Sequence, residues 1–481
     1  MKSMIQKLIV FSVLLSIPGA KAVLPVLEWD WSLVSLDDPH FLHTLSFPAG
    51  FQWGVADSAY QTEGALYYDG KMCTNNWTHW ETLKDAQGKP RIKNNHIVGK
   101  SCDKWHKYKD DIALMKASGF KAYRFSIEWS KIEPQRGVFD ERALQHYEDV
   151  VDELLKNGIE PTICLFHQTW PMWFDEKGAF EHAENIQYFV EFGTYVFNRL
   201  HTKVKTWMTI NEPTGYAMAA YFMGDCSPGK KSLQLAGEVL KNFLDTHITL
   251  YKVFKGIDSD VKIGYCKVVQ LIDPYHSWAP FKQLEKLVSN TFDALVNDTD
   301  LNYFKTGIFK WYIPFVCNVQ AVNKDALNTL DYIGVNYYSH TSLCIRWPEI
   351  MAPTAHPHEI VTDNGNVIYP EGIYRAIQRC SMLGIPMYIA ENGVADNNDS
   401  FKDHYIKQHL YAVSKACAEG YDVRGYFYWT LIDNFEWNKG YTEKFGLYSF
   451  DPITQERTLK KGSRNFISFV QDKAKERVII C

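Results

Sequence analysis

The sequence predicts an α/β fold, a single (β/α)8 barrel with its active site at the carboxyl ends of the strands. Strand-like and helix-like segments alternate from about residue 51 to the C-terminal region, which is typical of a parallel sheet. Eight strands can be counted, and eight is the number that closes this barrel. The 481-residue chain is 46% hydrophobic and has no Pro/Gly/Ser-rich linker, so residues 23–481 are predicted to form one domain.

The first half of the chain supplies four of the predicted strands. They are short apolar runs at residues 51–56, 120–127, 161–166 and 204–210. A helix is predicted at residues 107–116, because its apolar side chains share one helical face. Asp140 can cap the start of the next helix, which carries an apolar stripe, and Gly158 marks its end. A third helix follows at residues 186–200.

The second half continues the alternation of strands and helices. The four later strands are predicted at residues 261–266, 331–335, 387–390 and 425–430. The helices between them are predicted at residues 235–254, 279–293, 371–383 and 402–418. The run at 387–390 is too short for a helix and is therefore interpreted as a buried strand.

Glu391 ends this buried run, and Asn392-Gly393 turns the chain directly afterwards. A charge at the end of a buried strand costs free energy unless another group pairs with it or uses it. Glu391 is therefore a candidate catalytic carboxylate. A glutamate that simply meets solvent at the end of its strand is the alternative interpretation.

Other polar residues also lie at or near the carboxyl ends of predicted strands, where this barrel builds its active site. They are Arg124, His167, Asn211, Glu212, Asn336, Glu391 and Trp429. Taken singly, His167 could be a core histidine with satisfied hydrogen bonds, and Arg124 could belong to a structural ion pair. Their shared placement instead predicts one common site.

Composition and the N-terminus limit the classes of partner. The net charge is −5 and no basic cluster is present, so no nucleic-acid partner is expected. Residues 1–22 are typical of a signal peptide, with Lys2 and Lys7, an apolar run at 8–17 and a small-residue site at Ala20-Lys21-Ala22. The run is shorter than the ~20 residues that a membrane span needs. The chain is therefore expected in the secretory pathway, as a secreted, periplasmic or lumenal protein without a membrane span.

The cysteines and glycosylation sequons add two further expectations. The ten cysteines lack metal-binding spacing, and Cys164 and Cys266 lie in strand-like runs where buried free thiols are expected. One or two disulfides are compatible with an oxidising compartment. Sequons occur at Asn76, Asn297 and Asn398.

Several motifs in order resemble glycoside hydrolase family 1, the β-glucosidase family, from about residue 47 to 451. The most specific are Thr209-Ile-Asn-Glu-Pro213 and Ile389-Ala-Glu-Asn-Gly393. Further matches are Ser58-Ala-Tyr-Gln-Thr-Glu-Gly64, Tyr123-Arg-Phe-Ser126, Asp331-Tyr-Ile-Gly-Val-Asn-Tyr-Tyr338, Tyr369-Pro-Glu-Gly372 and Asp433-Asn-Phe-Glu-Trp437. The resemblance implies a retaining β-glycosidase, with Glu391 as nucleophile and Glu212 as acid/base. In such a site the two carboxyl groups lie about 5–5.5 Å apart.

The resemblance also implies roles for the neighbours of the two carboxylates. Arg124 would lie close to Glu391, and Tyr338 would donate a hydrogen bond to it. The residues expected to bind the non-reducing sugar are Gln61, His167, Asn211, Asn336, Trp429, Glu436 and Trp437, with Trp429 as the platform. A carboxylate at Glu436 would repel a phosphate, so an unphosphorylated sugar is expected. No cofactor or metal is implied, and the expected partner is a small-molecule or oligosaccharide β-glycoside.

The chain departs from the family pattern in ways that concern substrate choice. Gln168 stands where most members have a tryptophan beside the sugar, and Glu128 stands where serine is common. These departures leave the preferred sugar and the aglycone open. Two other functions remain as alternatives: an inactive member that binds sugar or protein, and a transglycosylase that uses the same covalent intermediate.

Overall fold

The computed structural model describes residues 24–64, 67–68, 71–276, 281–344, 352–353 and 355–479. Eight parallel strands form a closed barrel in which neighbours in sequence are neighbours in space, and the last strand pairs with the first. They are β1 (Gln52–Ala56), β2 (Ala122–Ser126), β3 (Glu160–Phe166), β4 (Thr206–Asn211), β5 (Lys262–Val268), β6 (Tyr332–Asn336), β7 (Met387–Asn392) and β8 (Val423–Trp429). The predicted (β/α)8 architecture is confirmed. The predicted signal peptide at residues 1–22 lies outside the described residues.

A long helix lies between each strand and the next, and a last one follows β8. These helices are α1 (Lys104–Ala117), α2 (Glu141–Lys156), α3 (Ile186–Leu200), α4 (Leu233–Ile257), α5 (Phe281–Thr306), α6 (Glu371–Cys380), α7 (Lys402–Ala418) and α8 (Arg464–Ile479). Asp140 caps α2 as predicted, because its carboxylate accepts hydrogen bonds from the backbone N–H groups of Arg142 and Ala143.

Small residues let side chains fill the barrel interior beneath the site. A cluster of buried residues occupies this space, namely Cys164, Met208, Cys266, Tyr332 and Ala390. A Cβ atom at Gly334 would lie 2.5 Å from the Cys266 sulfur, so only glycine fits at that point of β6. Cys164 and Cys266 are buried free thiols, as expected, and all nine cysteines in the described ranges are free.

Helix α5 is longer than predicted, reaching Thr306 rather than residue 293. The reason is that its buried face carries charged residues, which hide the apolar periodicity. Asp293 pairs with Arg379, and Asp300 pairs with Lys267 of β5 at 2.8 Å, with both side chains of the second pair fully buried. A polar stripe in the sequence therefore faces the protein interior.

Several small additions to the barrel were not predicted, and two of them lie after β5 and β6. An antiparallel hairpin joins Ile308–Ile313 to Cys317–Val322 after α5. Beyond β5 and β6, the short strands Leu271–Pro274 and His340–Cys344 pair in parallel outside the barrel. Within the described ranges, no helix is long and apolar enough to cross a membrane.

Candidate active site

Glu391 lies at the carboxyl end of β7 with its side chain buried. The register between β6 and β7 shifts between Val335 and Asn336, next to Glu391. Arg124 Nη1 donates a hydrogen bond to Glu391 Oε1 at 2.5 Å, and the Tyr338 hydroxyl donates to Oε2 at 2.7 Å. Each carboxylate oxygen thus has its own donor, and one donor is a cation, so the ionised form of Glu391 is favoured. Both neighbours predicted for Glu391 are in place.

Arg124 connects Glu391 to the polar floor of the site. Its guanidinium is completely buried in β2. Besides its bond to Glu391, its Nη2 donates to Asn211 Oδ1 at 2.5 Å. A buried guanidinium with hydrogen bonds from both Nη atoms has little freedom to move, so it holds the Glu391 carboxylate in a fixed orientation.

Glu212 follows β4 directly and occupies a left-handed conformation, with φ 51° and ψ 50°. This turn directs its carboxyl group into the cavity, where Asn336 Nδ2 donates to Oε1 at 2.8 Å. Among the described residues, no cation donates a hydrogen bond to Glu212 as Arg124 does to Glu391. The loss of hydration among surrounding protein atoms, followed by the negative charge of Glu391, raises the pKa of Glu212 to about 8. At neutral pH Glu212 is therefore mostly protonated.

His167, at the end of β3, presents a hydrogen-bond donor to the cavity. Asn211 Oδ1 accepts from Arg124 and Asn336, so its amide Nδ2 is the donor toward His167 Nε2, 3.3 Å away. Burial, followed by the positive charge of Arg124, lowers the pKa of His167 well below its usual value. The neutral ring then carries its proton on Nδ1, which is buried and has no hydrogen-bond partner among the described residues. This N–H is a candidate donor to a ligand in the cavity that His167 lines.

Gln61 and Glu436 form the other side of the site. Gln61 Nε2 donates to Glu436 Oε2 at 3.1 Å and to the Phe435 carbonyl at 3.0 Å. Burial, followed by the charge of Glu391, raises the pKa of Glu436 to about 8. The raised pKa keeps this carboxyl group mostly protonated at neutral pH, and additional hydrogen-bond donors would favour its ionised form.

Aromatic rings enclose the site from opposite directions. The His167 ring stacks on Trp429, with centroids 5.7 Å apart, and on Trp437, with centroids 6.0 Å apart. Trp437 also packs against Trp77 and Tyr60, which fixes its orientation. Flat apolar surfaces are thus combined with buried hydrogen-bonding groups, an arrangement that suits a ligand with both properties.

The cavity between these groups has a volume of about 260 Å³. Seven of the predicted site residues line it: His167, Glu212, Tyr338, Glu391, Trp429, Glu436 and Trp437. Arg124, Asn211, Asn336 and Gln61 lie behind this lining and hold it through hydrogen bonds. Every predicted site residue therefore belongs to one connected arrangement.

Sequence reasoning did not single out several residues that line the cavity, among them Gln270, Asn364, Asn366 and Phe445. The first three come from segments between barrel strands and Phe445 follows β8, and none of the four belongs to a motif. Asn364-Gly365-Asn366 gives a clear turn signal, but nothing in that signal indicates that the turn reaches the cavity. Gln168, which departs from the family pattern, also lines the cavity and has φ 66°.

The arrangement supports acid–base and nucleophilic chemistry by two carboxyl groups. One is held as an anion by Arg124 and Tyr338, and the other keeps its proton near neutral pH. This is the division of roles that glycoside hydrolysis requires. Among the described residues, the His, Cys and acidic side chains close enough to share a metal ion lie elsewhere in the molecule.

Comparison with known proteins agrees with this geometry. The family model of glycosyl hydrolase family 1 matches residues 43–475. β-Glucosidase A of Thermotoga maritima is 29% identical over 454 residues, covering 90% of this chain and 100% of that relative. The structure of β-glucosidase from Thermotoga maritima in complex with castanospermine has a TM-score of 0.79 at 28% identity, covering 89% of this chain and 98% of that one. A β-glycosidase from Pyrococcus horikoshii has a TM-score of 0.77 at 32% identity, covering 90% and 98%. The chain therefore belongs to glycosyl hydrolase family 1 and is an O-glycosyl hydrolase of the β-glycosidase type.

Proposed function

We propose that the protein is a retaining β-glucosidase, which removes the terminal, non-reducing, unphosphorylated sugar from a β-glycoside by double displacement. The observation that carries this proposal is the unequal environment of the two carboxyl groups. Glu391 accepts hydrogen bonds from Arg124 and Tyr338, whereas Glu212 has only a neutral amide donor and a raised pKa of about 8. The relatives from Thermotoga maritima described above are named β-glucosidases, which supports glucose as the sugar.

In the first step, a Glu391 oxygen attacks the anomeric carbon while the bond to the leaving oxygen breaks. Glu212 gives its proton to that oxygen, so the leaving group departs as a neutral alcohol. The electron pair of the broken bond stays with the leaving oxygen, and the sugar is joined to Glu391 as an ester. The charge of Glu391 disappears in this step.

The second step depends on that loss of charge. Glu391 is the second-largest cause of the raised pKa of Glu212, so forming the ester lowers this pKa. Glu212, now ionised, takes a proton from water, and the water oxygen attacks the anomeric carbon. Glu391 leaves as a carboxylate, to which Arg124 and Tyr338 again donate. Two inversions restore the β configuration of the sugar.

Glu436, Gln61 and His167 supply the contacts expected to hold the sugar. Hydroxyl groups that donate to Glu436 favour its ionised form, so sugar binding should lower its raised pKa. The free Nδ1–H of His167 can donate to a sugar hydroxyl. A phosphate on the sugar would place negative charge beside Glu436 and Glu391, which opposes binding.

The test of the mechanism is the stereochemistry of the first product. Hydrolysis of an aryl β-glucoside is followed by proton NMR from its first minute, before the free sugar mutarotates. We expect the β anomer to appear first and the α anomer only later. An α anomer as the first product would overturn the double displacement, and a Glu391→Gln preparation made in parallel controls for contaminating host enzymes.

The test of the substrate is a panel of aryl β-glycosides with gluco, galacto, fuco, manno and 6-phosphogluco groups. We expect the highest kcat/KM for the glucoside and negligible cleavage of the 6-phosphoglucoside. Preferential cleavage of the phosphorylated compound would contradict the role given to Glu436. Absence of cleavage of every member would favour a binding protein over an enzyme.

We also propose that residues 1–22 direct the chain into the secretory pathway and are removed. The side chains of α6 hold the chain from Leu24 onward: Arg375 donates to the Leu24 carbonyl at 3.0 Å, and Glu371 accepts from the Trp29 backbone N–H at 2.8 Å. This attachment begins directly after the predicted cleavage site, which supports the proposal. N-terminal sequencing of protein secreted from a eukaryotic host should begin at Val23.

A further inference from the structure

A second cavity, of about 750 Å³, lies outside the catalytic one. Its walls come from the N-terminal segment at Trp29, the strand Leu271–Pro274 with the following His276, and the strand His340–Cys344. None of the described residues that line it also lines the catalytic cavity. Whatever this cavity holds is therefore separate from the glycosidase site.

Three potential metal ligands converge at one side of this cavity. They are His276, Glu285 near the start of α5, and Cys344 at the end of its strand, and their ligand atoms all lie within 4.8 Å of one another. Glu285 and Cys344 are buried at 0% and 1% exposure, whereas His276 is half-buried and lines the cavity. The three residues come from separate elements, so their spacing along the chain gave no metal signal.

Two buried hydroxyl groups on the same elements as these ligands have no hydrogen-bond partner among the described residues. Ser342 lies two residues before Cys344, on the same face of its strand, and lines the cavity with its Oγ unpartnered. Ser289 lies one helical turn after Glu285, is 0% exposed, and its Oγ is also unpartnered. A buried hydroxyl without a partner costs free energy, so each of the two groups favours an additional polar species within its reach.

We propose that His276, Glu285 and Cys344 bind a zinc ion whose fourth position faces the cavity and holds a water molecule. The mixed nitrogen, oxygen and sulfur ligands are the reason for choosing zinc. Calcium and magnesium prefer all-oxygen ligands, and copper(I) prefers sulfur. Zinc accepts imidazole, carboxylate and thiolate together in a tetrahedral site.

The charges of such a site balance without help from solvent. The carboxylate of Glu285 and the thiolate of Cys344 offset the two positive charges of the ion, while His276 binds as a neutral ring. A neutral assembly is the form that a buried position tolerates best. Zinc binding would release the thiol proton of Cys344 to solvent, because zinc binds the thiolate.

The side chains of His276 and Glu285 must move slightly apart to admit the ion. At present His276 Nδ1 and Glu285 Oε1 are 2.6 Å apart, joined by a hydrogen bond. Tetrahedral zinc bonds of about 2.1 Å would place these two atoms about 3.4 Å apart. The backbone N–H of His276, which donates to Glu285 Oε2 at 2.7 Å, can keep the carboxylate in place during this change. The ion would then join the start of α5 to the strand His340–Cys344.

The experiment measures zinc bound to the full-length enzyme, prepared without a polyhistidine tag. The wild type is incubated with zinc sulfate, desalted, and analysed by inductively coupled plasma mass spectrometry. Affinity is measured by competition with a chromogenic chelator, and cobalt(II) is used as a second probe because a thiolate ligand gives it an intense near-ultraviolet charge-transfer band. The variants are Cys344→Ser and His276→Gln, and Cys380→Ser, another buried free thiol, is the matched control.

We expect one zinc ion per wild-type chain and the same for Cys380→Ser. Cys344→Ser should lose the cobalt–thiolate band, and both ligand variants should bind zinc at least about tenfold more weakly. His276→Gln changes a half-buried side chain, so it keeps the test valid if Cys344→Ser does not fold. Wild-type protein without bound zinc, or His276→Gln with undiminished affinity, would overturn the proposal. Cleavage of aryl glucosides tests the catalytic site independently of this result.

Discussion

At the scale of single residues, the proposed chemistry depends on a contrast between two glutamates, Glu212 directly after β4 and Glu391 at the end of β7. Glu391 touches a guanidinium and a phenol hydroxyl, and Glu212 touches an amide. The two donors stabilise the negative charge of Glu391, and this charge in turn raises the pKa of Glu212. The role proposed for each glutamate therefore depends on the groups around it, because the two side chains are the same.

Replacing Glu391 by glutamine should abolish activity while leaving the fold intact. Glu391→Gln keeps the shape of the side chain and removes the attacking charge, so kcat/KM for an aryl β-glucoside should fall at least about 10⁴-fold. Glu371→Gln alters another buried glutamate, in the second cavity, and should keep most of the activity. A folded Glu391→Gln protein with a tenth of wild-type activity would contradict the assignment.

The pH dependence of activity should reveal the proton on Glu212. Because the pKa of Glu212 is raised to about 8, its acid form is present at neutral pH and is lost as the pH rises through that value. Glu436 has a similarly raised pKa, so both groups ionise in the same range. A ratio of two substrates separates them, since ionisation of Glu436 affects both substrates but only an alkyl glucoside needs the proton of Glu212.

The measurement compares kcat/KM for an alkyl β-glucoside with that for a dinitrophenyl β-glucoside between pH 6 and 9. The alkyl-to-aryl ratio should be constant at the acidic end and should decline above about pH 8. In Glu212→Ala the ratio should be low and independent of pH. A constant ratio in the wild type would show that Glu212 is not the acid.

Sequence reasoning singled out the two candidate catalytic glutamates because their motifs are local, but it could not give the backbone geometry around them. The left-handed turn at Glu212 and the register shift beside Asn336 follow from three-dimensional packing. The lining residues Gln270 and Asn364 come from segments with no periodic pattern of their own. Gln168, where the chain departs from the family pattern, lines the same cavity.

At the scale of elements, the barrel strands were predictable because each is buried on both faces and forms a short apolar run. The same criterion failed for the second half of α5. Its inward face carries Asp293, Asn297 and Asp300, and each is satisfied by another buried group. Apolar periodicity identifies a helix only where the buried partner is also apolar.

The buried ion pair between α5 and β5 should be essential for stability. Asp300→Ala leaves the Lys267 ammonium buried without its partner, which should cost about 3–5 kcal/mol and lower the Tm by several degrees. Asp325→Ala is the control, because its pair with Lys252 is largely exposed and should contribute about 0–1 kcal/mol.

A double variant distinguishes loss of attraction from the burial of an unpaired charge. Lys267→Met combined with Asp300→Leu removes both charges and retains most of the volume, so it should unfold at a higher temperature than Asp300→Ala. Differential scanning calorimetry measures all four proteins. If Asp300→Ala unfolds at the wild-type temperature, α5 does not depend on this pair.

At the scale of the whole molecule, one barrel carries two separate cavities, and the N-terminal segment closes part of the second. Trp31 Nε1 donates to Glu371 at 2.9 Å, and the Tyr369 hydroxyl bonds to both the N–H and the carbonyl of Leu27. The sequence predicted a domain starting at residue 23, but it gave no sign that this start packs beside α6. Irregular segments are placed by specific side-chain contacts, which no periodic pattern encodes.

The burial of the three sequons predicts where a glycan can be attached to the folded protein. Asn76 is 1% exposed, with its side chain bonded to the Gln168 carbonyl and the Trp170 N–H. Asn297 is 0% exposed, and its side chain is bonded to backbone groups of Gln270. A glycan on either would remove these bonds and could not be packed inside. Asn398 is exposed in the segment before α7 and can carry one.

Protein secreted from a glycosylating eukaryotic host should therefore carry one N-linked glycan, at Asn398. Peptide N-glycosidase F, used in water that carries a heavy oxygen isotope, should convert only that asparagine to oxygen-labelled aspartate. Peptide mass spectrometry detects the label. Asn398→Gln should remove the glycan and keep the Tm, because the side chain lies in solvent. Asn297→Gln should leave the glycan unchanged but lower the Tm, because a longer amide does not fit the bonds to Gln270. A glycan on Asn76 or Asn297 in folded, active enzyme would show that these side chains are not packed as described.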